Sequence, residues 1–241
     1  MMPAIFFEPA RYAAMDEITI SKIVFFVLLL ISLSFHEYGH AWSAKQLGDD
    51  TAERLGRLSL NPIVHIDLVF TVIMPLLMLF GPLAGTPIGI CAAKPVPVNP
   101  FNLRKPTRDM MLTSAAGPAM NVVLAFFFTA AYWFHVEVRG IAWDKLSSLM
   151  IIQAIQLNLQ LAVFNMLPIP PLDGHRVLGY FLPPRLREAY YRIGAGGGIA
   201  ILLLLMWMGV LSQIQRQILW PLGDLWGALM PGGMSLFSYG Y

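Results

Sequence analysis

The amino-acid sequence predicts an all-α polytopic membrane protein with about five or six transmembrane helices. Of the 241 residues, 57% are hydrophobic and only 12% are charged, and the mean hydropathy is +0.63. Soluble domains carry about twice that charged fraction. The length leaves room for these spans but not for an additional soluble domain of ordinary size. We therefore expect a single membrane-embedded domain over residues 1–241, with its core at 18–185 and C-terminal spans within 193–230.

Charge and cysteine content narrow the possible functions. The net charge of +2 gives no reason to expect nucleic-acid binding, and the single Cys91 excludes an intrachain disulfide and a multi-cysteine zinc site. Residues 1–22 contain acidic side chains and lack a basic region followed by a cleavage site, so we expect no removable signal peptide. The first span would then serve as its own insertion signal.

Hydropathy predicts the helices in order along the chain. The strong candidates are 18–47, 68–84, 108–136, 147–167 and 193–213, with a weaker sixth at 217–230. The second candidate is short and is interrupted by Pro75, Gly81 and Pro82, which favours a re-entrant loop buried by protein. Residues 88–107 should then be extended, because the residue before each proline avoids the α region. This re-entrant and extended insertion lies between the first helix and the next full span.

The basic residues test this topology through the positive-inside rule. If 68–84 re-enters and the other strong candidates cross, 11 of the 16 basic residues share one side, which is then cytoplasmic. They are Lys45, Arg54, Arg57, Lys94, Arg104, Lys105, Arg108, Arg176, Arg185, Arg187 and Arg192. If 68–84 crosses instead, the basic loop 94–108 moves outside and the bias largely disappears. The charge pattern therefore favours the re-entrant arrangement.

The first predicted helix contains the sequence His36-Glu37-Tyr38-Gly39-His40 after an almost wholly apolar run. Residues four apart share a helix face, so both imidazoles can bind one metal ion, with Glu37 placed to act as a general base. Charged groups are costly inside a bilayer, so their presence there indicates function. The pattern predicts a zinc site at membrane depth.

A catalytic zinc needs a third protein ligand in addition to the two histidines. The other histidines are His65, His135 and His175, and carboxylates are also candidates. Asp173 follows three prolines that break an apolar helix, and a broken helix can direct a carboxylate into a cavity. The predicted topology also puts Asp173 on the same side as His40. Both arguments favour Asp173, with His175 as the nearest rival.

The combination of His36-Glu37-xx-His40 with Asn165-xx-Pro168-xxxx-Asp173-Gly174 resembles the site-2 protease family of intramembrane zinc metalloproteases. Further matching segments are 56–62, 94–99 and 117–121, and the resemblance to the compact prokaryotic branch covers about residues 30–185. It implies one zinc ion per chain bound by His36, His40 and Asp173. It also implies Glu37 as the general base and Asn165 as a residue that stabilises the oxyanion or holds the substrate backbone.

The resemblance further implies a role in regulated intramembrane proteolysis. The substrate would be a membrane protein or a remnant signal peptide in the lipid bilayer. The protein would be a multi-pass protein of a prokaryotic cell membrane with its active site towards the cytoplasm. Some relatives carry a PDZ or CBS domain, and this sequence shows neither. The extended segment 90–101 could pair with an unwound substrate by strand addition.

Two other functions remain open from the sequence. The first is a catalytically inactive membrane protein that keeps the fold and binds partners. The presence of both histidines, Glu37 and Asp173 disfavours it. The second is a transporter, which is disfavoured because no inverted repeat of broken helices is apparent.

Overall fold

The computed structural model describes residues 9–81, 92–140, 146–230 and 236–237. These residues form helices joined by turns and extended segments, and they contain no β-strand, so the predicted all-α class is confirmed. The end of the predicted 68–84 element and the start of the extended segment fall in 82–91, outside the described residues.

The predicted helices appear in order with shifted ends. The helices are α1 (Pro9–Gln46), α2 (Thr51–Arg54), α3 (Met74–Phe80), α4 (Pro106–Trp133), α5 (Leu146–Asn165), α6 (Asp173–Phe181), α7 (Pro184–Tyr191), α8 (Gly194–Trp207) and α9 (Val210–Gly227). Three short helices (α2, α6 and α7) were not predicted. A π-helical turn, Leu68–Ile73, leads into α3, and a second one, Phe134–Val138, extends α4.

Within the part of the chain that the structure describes, three helical segments are long and apolar enough to cross a membrane: Ile18–Gln46, Pro106–Val138 and Ser147–Asn165. A bent pair, Pro184–Tyr191 with Gly196–Trp207, would be a fourth if it forms one span. The outward face of α1 is apolar, with exposed Ile23 and Val27, as expected for contact with lipid. Leu68–Phe80 is a shorter apolar helical segment. The long apolar helices indicate that the protein is a membrane protein.

Helix α5 packs between its neighbours and buries apolar side chains on two faces. Leu157 and Leu161 lie against Leu29 and Leu33 of α1. The other face lies against α4 and α9 in a cluster that contains Ala125, Tyr132, Ile155, Leu159, Leu219 and Trp226. Helices α1 and α4 are in close contact at Gly39, where an added Cβ would lie 2.7 Å from the Ala116 carbonyl oxygen. Small residues permit this contact between apolar helices.

The C-terminal helices differ from the sequence prediction. The predicted helix 193–213 ends at Trp207, and α9 begins at Val210 rather than near 217. Gly209 between them has a left-handed backbone with φ of +69°. A left-handed glycine ends a helix while the surrounding residues stay apolar, so hydropathy alone does not detect this break.

The end of α1 and the beginning of α4 lie together. The Arg104 amide donates to the Leu47 carbonyl at 3.2 Å. Buried Asp49 accepts from the Asn99 amide at 2.6 Å and from Asn102 Nδ2 at 2.9 Å. The chain between these helices therefore leaves and returns at the same end of the helical core.

Candidate metal centre

Two helices bring together three side chains of types that can bind a metal. His36 and His40 project from α1, and Asp173 is the first residue of α6. His36 Nε2 lies 3.1 Å from Asp173 Oδ2, and His40 Nε2 lies 3.3 Å from the same oxygen. The two Nε2 atoms are 3.1 Å apart. Among the described residues, these three are the only group of histidine, cysteine and acidic side chains that could hold a metal ion.

The spacing of the three atoms fits zinc. Tetrahedral zinc with bonds of about 2.0–2.1 Å keeps its ligand atoms roughly 3.4 Å apart. The three observed separations of 3.1 to 3.3 Å are close to this value. The ligand set of two imidazoles and one carboxylate also matches known catalytic zinc sites. One carboxylate oxygen and two imidazole nitrogens converge here, a set of ligand atoms that suits a metal cation.

Helix α4 supports both imidazoles from behind. His40 Nδ1 lies 2.7 Å from the Thr113 carbonyl oxygen, and His36 Nδ1 lies 2.7 Å from Asn121 Oδ1. A carbonyl oxygen only accepts, so His40 Nδ1 carries a proton and Nε2 is the ring nitrogen that could bind a metal. Thr113, Gly117 and Asn121 are four residues apart and therefore share the face of α4 that meets the histidines.

Gly117 leaves room for the metal centre. A Cβ at this position would lie 2.7 Å from His36 Nε2 and would also clash with His40 Nε2 and Cε1. The positions of His36 Nε2 and His40 Nε2 therefore require a residue without a side chain at position 117. The bare backbone of Gly117 is part of the wall of the site.

Glu37 is buried beside the histidines and is held by the extended segment. The Val96 amide donates to Glu37 Oε2 at 2.8 Å. The segment is fixed on the same edge by the Lys94 amide, which donates to the His65 carbonyl at 2.8 Å. Arg57 Nη2 donates to the Lys94 carbonyl at 2.7 Å, and Arg57 Nη1 donates to the Val64 carbonyl. The carboxylate thus has one oxygen oriented by a backbone amide.

Asp173 reaches the histidines because α6 begins immediately after the proline-rich turn. Gly174 allows a close approach to the end of α5, since a Cβ there would lie 2.5 Å from the Leu167 carbonyl oxygen and would overlap the Met166 carbonyl. Burial alone would raise the pKa of the Asp173 carboxyl, but the imidazoles of His40 and His36 hold that pKa below its usual range. The carboxyl group of Asp173 is therefore anionic at neutral pH.

The other sequence candidates make separate contacts. Asn165 Nδ2 donates to the Leu161 carbonyl of its own helix at 3.0 Å. His65 Nε2 lies 2.7 Å from the Ser59 carbonyl, and His135 Nε2 lies 3.0 Å from Ser147 Oγ. His175 Nδ1 lies 2.8 Å from the Leu172 carbonyl. None of these three histidines belongs to the metal-ligating group, so His175 is not brought to the site as a rival ligand.

Comparison with known proteins identifies the family. The sequence model of peptidase family M50 matches residues 24–156 and 138–207. The chain belongs to peptidase family M50. This membership, with the candidate ligand cluster, confirms the predicted site-2 protease resemblance and the expectation of a zinc-dependent protease.

Relatives of this M50 chain occur in bacteria and archaea. It is 36% identical over 200 residues to YwhC of Bacillus subtilis, covering 81% of this chain and 84% of YwhC. It is 31% identical over 180 residues to Rip2 of Mycolicibacterium smegmatis, covering 73% of this chain and 64% of Rip2. It is 23% identical over 209 residues to MJ0392 of Methanocaldococcus jannaschii, covering 85% and 48%. MJ0392 is named a zinc metalloprotease, and the names of the other two assign them provisionally to that class. No solved structure matches significantly.

Several contacts of the M50 site were not predicted from the sequence. The Val96 amide and the Thr113 carbonyl are backbone groups, which carry no residue signature. Asn158 of α5 contacts Asn121 behind His36 and received no prediction. Its signal was available, because an asparagine in the middle of an apolar membrane helix is costly unless it is used.

Proposed function

We propose that the protein is an intramembrane zinc endopeptidase. It would hydrolyse peptide bonds within or next to transmembrane segments of membrane-protein or signal-peptide substrates. The observation that carries this proposal is the convergence of His36, His40 and Asp173 inside an apolar membrane-spanning helix bundle, with Glu37 adjacent. The ligand atoms lie roughly 9–15 Å from the end of α1, at 1.5 Å per residue. The cleaved bond would therefore lie within the membrane but near one face.

His36, His40 and Asp173 are the residues that would hold the zinc. When bound, zinc lowers the pKa of water towards about 7 and polarises the carbonyl that is attacked. The side chains of His40 and Asp173 are 12% and 18% exposed, which leaves a route for water and substrate to an otherwise buried cluster.

Glu37 is the proposed general base. The Val96 amide holds Oε2, so Oε1 is the oxygen that accepts a proton from the attacking water. The same oxygen then returns the proton to the nitrogen of the leaving amine. A carboxylate whose second oxygen is fixed by a backbone amide loses less orientational freedom on reaching the productive geometry.

Asn165 is the proposed partner of the substrate carbonyl. Its Nδ2 donates to the Leu161 carbonyl, the last turn of α5 before the proline break. Rotation away from this contact would give a side-chain donor for the oxyanion, a role worth roughly 3–4 kcal/mol in other proteases.

The extended segment is the proposed guide for an unwound substrate. The amides of Ala92, Lys94 and Val96 are already bonded to Phe70, His65 and Glu37 on the inner edge. Residues 95 and 97 on the outer edge are prolines and lack amide donors. A substrate strand added there would therefore bond mainly through its own amides to carbonyl oxygens of the segment.

The proposed topology has the active site on the cytoplasmic side of a prokaryotic membrane. The contact between Leu47 and Arg104 supports a segment 68–84 that re-enters, because the chain before and after it lies at one end of the bundle. The basic side chains near that end support its cytoplasmic location. We propose five or six spans in total, including the C-terminal helices α8 and α9.

The test is cleavage of model transmembrane substrates in lipid vesicles by the wild type and by Glu37→Gln, with zinc measured in both. Glu53→Gln, which changes an exposed carboxylate that pairs with Lys45, is the matched control. We expect about one zinc in every variant, cuts within the substrate span, and at least roughly 100-fold slower cleavage by Glu37→Gln alone. Equal cleavage by Glu37→Gln would contradict the proposed chemistry. Zinc binding without cleavage by any variant would favour an inactive membrane scaffold.

A further inference from the structure

A chain of buried amides lies behind the metal centre. Asn121 of α4 and Asn158 of α5 are both fully buried, and Ser32 of α1 is 1% exposed. Asn121 Oδ1 lies 2.7 Å from His36 Nδ1, and Asn121 Nδ2 donates to Asn158 Oδ1 at 2.9 Å. We call Asn158 and Asn121 the amide chain. It connects three membrane helices to one metal-ligating histidine.

The far end of the amide chain fixes the orientation of Asn158. Its Nδ2 lies 2.8 Å from the Ala154 carbonyl oxygen and 3.0 Å from Ser32 Oγ. A backbone carbonyl only accepts, so the nitrogen of Asn158 must face Ala154. Its oxygen is therefore the atom that faces Asn121.

This orientation passes to Asn121. Since Asn158 presents an acceptor, Asn121 must turn its Nδ2 towards it, and the Ser32 carbonyl at 3.3 Å from that nitrogen requires the same. Asn121 Oδ1 then faces His36 and can only accept. The proton of the His36 imidazole is drawn to Nδ1, which leaves Nε2 as an electron-pair donor.

Asp173 acts in the opposite direction. Its Oδ2 lies 3.1 Å from His36 Nε2 and would draw a proton to that nitrogen in the absence of the amide chain. His40 needs no such chain, because the Thr113 carbonyl accepts from its Nδ1 directly. His36 instead faces the side-chain amide of Asn121, which can present either its oxygen or its nitrogen. Contacts with Ser32 and Asn158 determine which of these atoms faces His36.

We infer that Asn158 is a positioning residue for metal binding: it acts through Asn121 to keep a proton on His36 Nδ1 and so presents Nε2 to the metal. This inference rests on the proposed function, because zinc binding is what gives His36 Nε2 its role as a ligand. Asn158 itself contacts neither histidine nor substrate. Loss of a hydrogen-bonding partner behind a metal ligand weakens metal affinity about 10- to 100-fold in other proteins.

The test uses full-length protein in detergent, three variants of α5 and one variant of His36 for assignment. Asn158→Leu removes both hydrogen-bonding groups at similar volume. Asn158→Asp, protonated in its buried position, keeps a donor for Ala154 and an acceptor for Asn121. Gln153→Leu is the matched control, because Gln153 lies on the same helix but bonds to Ser21. Zinc affinity is measured by chelator competition. Nitrogen-15 NMR of labelled histidines reports which His36 ring nitrogen carries a proton after zinc removal, with His36→Gln used for assignment.

We expect a proton on His36 Nδ1 in the wild type, Asn158→Asp and Gln153→Leu. Asn158→Leu should bind zinc about 10-fold more weakly and show a population with unprotonated Nδ1. A wild-type His36 that carries its proton only on Nε2 overturns the inference, even if Asn158→Leu does not fold. So does an Asn158→Leu protein with unchanged Nδ1 protonation and zinc affinity. A wild type that binds no zinc refutes the proposed function instead, and the NMR result still decides the protonation of His36.

Discussion

Substitution of Gly117 by alanine tests whether the space beside the histidines is required for metal binding. The new Cβ would lie 2.7 Å from His36 Nε2 and closer still to His40 Nε2. Non-bonded atoms prefer about 3.5–4.0 Å, so the methyl group is roughly 0.8 Å too close. Overpacking of this kind costs about 1–3 kcal/mol. If the two imidazoles move to relieve it, zinc affinity falls about 5- to 150-fold.

The assay is chelator competition for zinc on purified protein, together with thermal unfolding. Alanine is about 0.8–1.0 kcal/mol better than glycine in a helix, so a general loss of helix stability is not expected. Gly196→Ala on α8 is the matched control, since a Cβ there meets nothing within 4 Å. Wild-type zinc affinity and cleavage in Gly117→Ala would refute the reasoning that this glycine forms a wall of the metal centre.

The remaining predictions concern the contacts of the extended segment and the ends of helices. Asp49→Asn should lower the free energy of unfolding by about 1–3 kcal/mol, measured by denaturation, because four donors lose a carboxylate. Burial alone would raise the pKa of Asp49, but its hydrogen bonds with Thr51, Asn102 and Asn99 hold that pKa below its usual range. Its stabilisation should therefore be complete above about pH 4 and lost as the pH falls further, and a constant difference from Asp49→Asn down to pH 2 would contradict this. Arg57→Lys keeps the charge but loses the paired contacts to Val64 and Lys94, so cleavage should slow while zinc content stays unchanged. Gly209→Ala should lower the free energy of unfolding by about 1 kcal/mol, and with it the unfolding temperature, because a φ of +69° disfavours a side chain.

The ligand cluster was predictable because each member had an independent signal in the sequence. His36 and His40 are four residues apart in an apolar helix, and Asp173 follows a proline-rich break. A zinc site requires three such ligands, so the search for the third was constrained by chemistry. The site geometry agrees with these residues, although their roles as ligands and base remain predictions until zinc is measured.

The surroundings of the site were less predictable. Val96 and Thr113 act through backbone atoms, whose partners depend on how α1, α4 and the extended segment pack. The position of Asn158 in an apolar helix was a signal, but it did not separate a role at the site from helix packing, because polar residues in such a helix fit both roles. The boundary between α8 and α9 depends on the backbone of Gly209, which does not change hydropathy. Packing and backbone conformation, rather than composition, decide these features.

Zinc K-edge X-ray absorption of the purified wild type tests the central claim most directly. We predict one zinc per chain bound by two imidazole nitrogens and by oxygen at about 2.0–2.2 Å, with no sulfur ligand. Asp173→Ala should lower the zinc content or remove an oxygen from the coordination shell. Absence of bound zinc, a sulfur ligand, or a spectrum unchanged by Asp173→Ala would contradict the assignment of the metal centre.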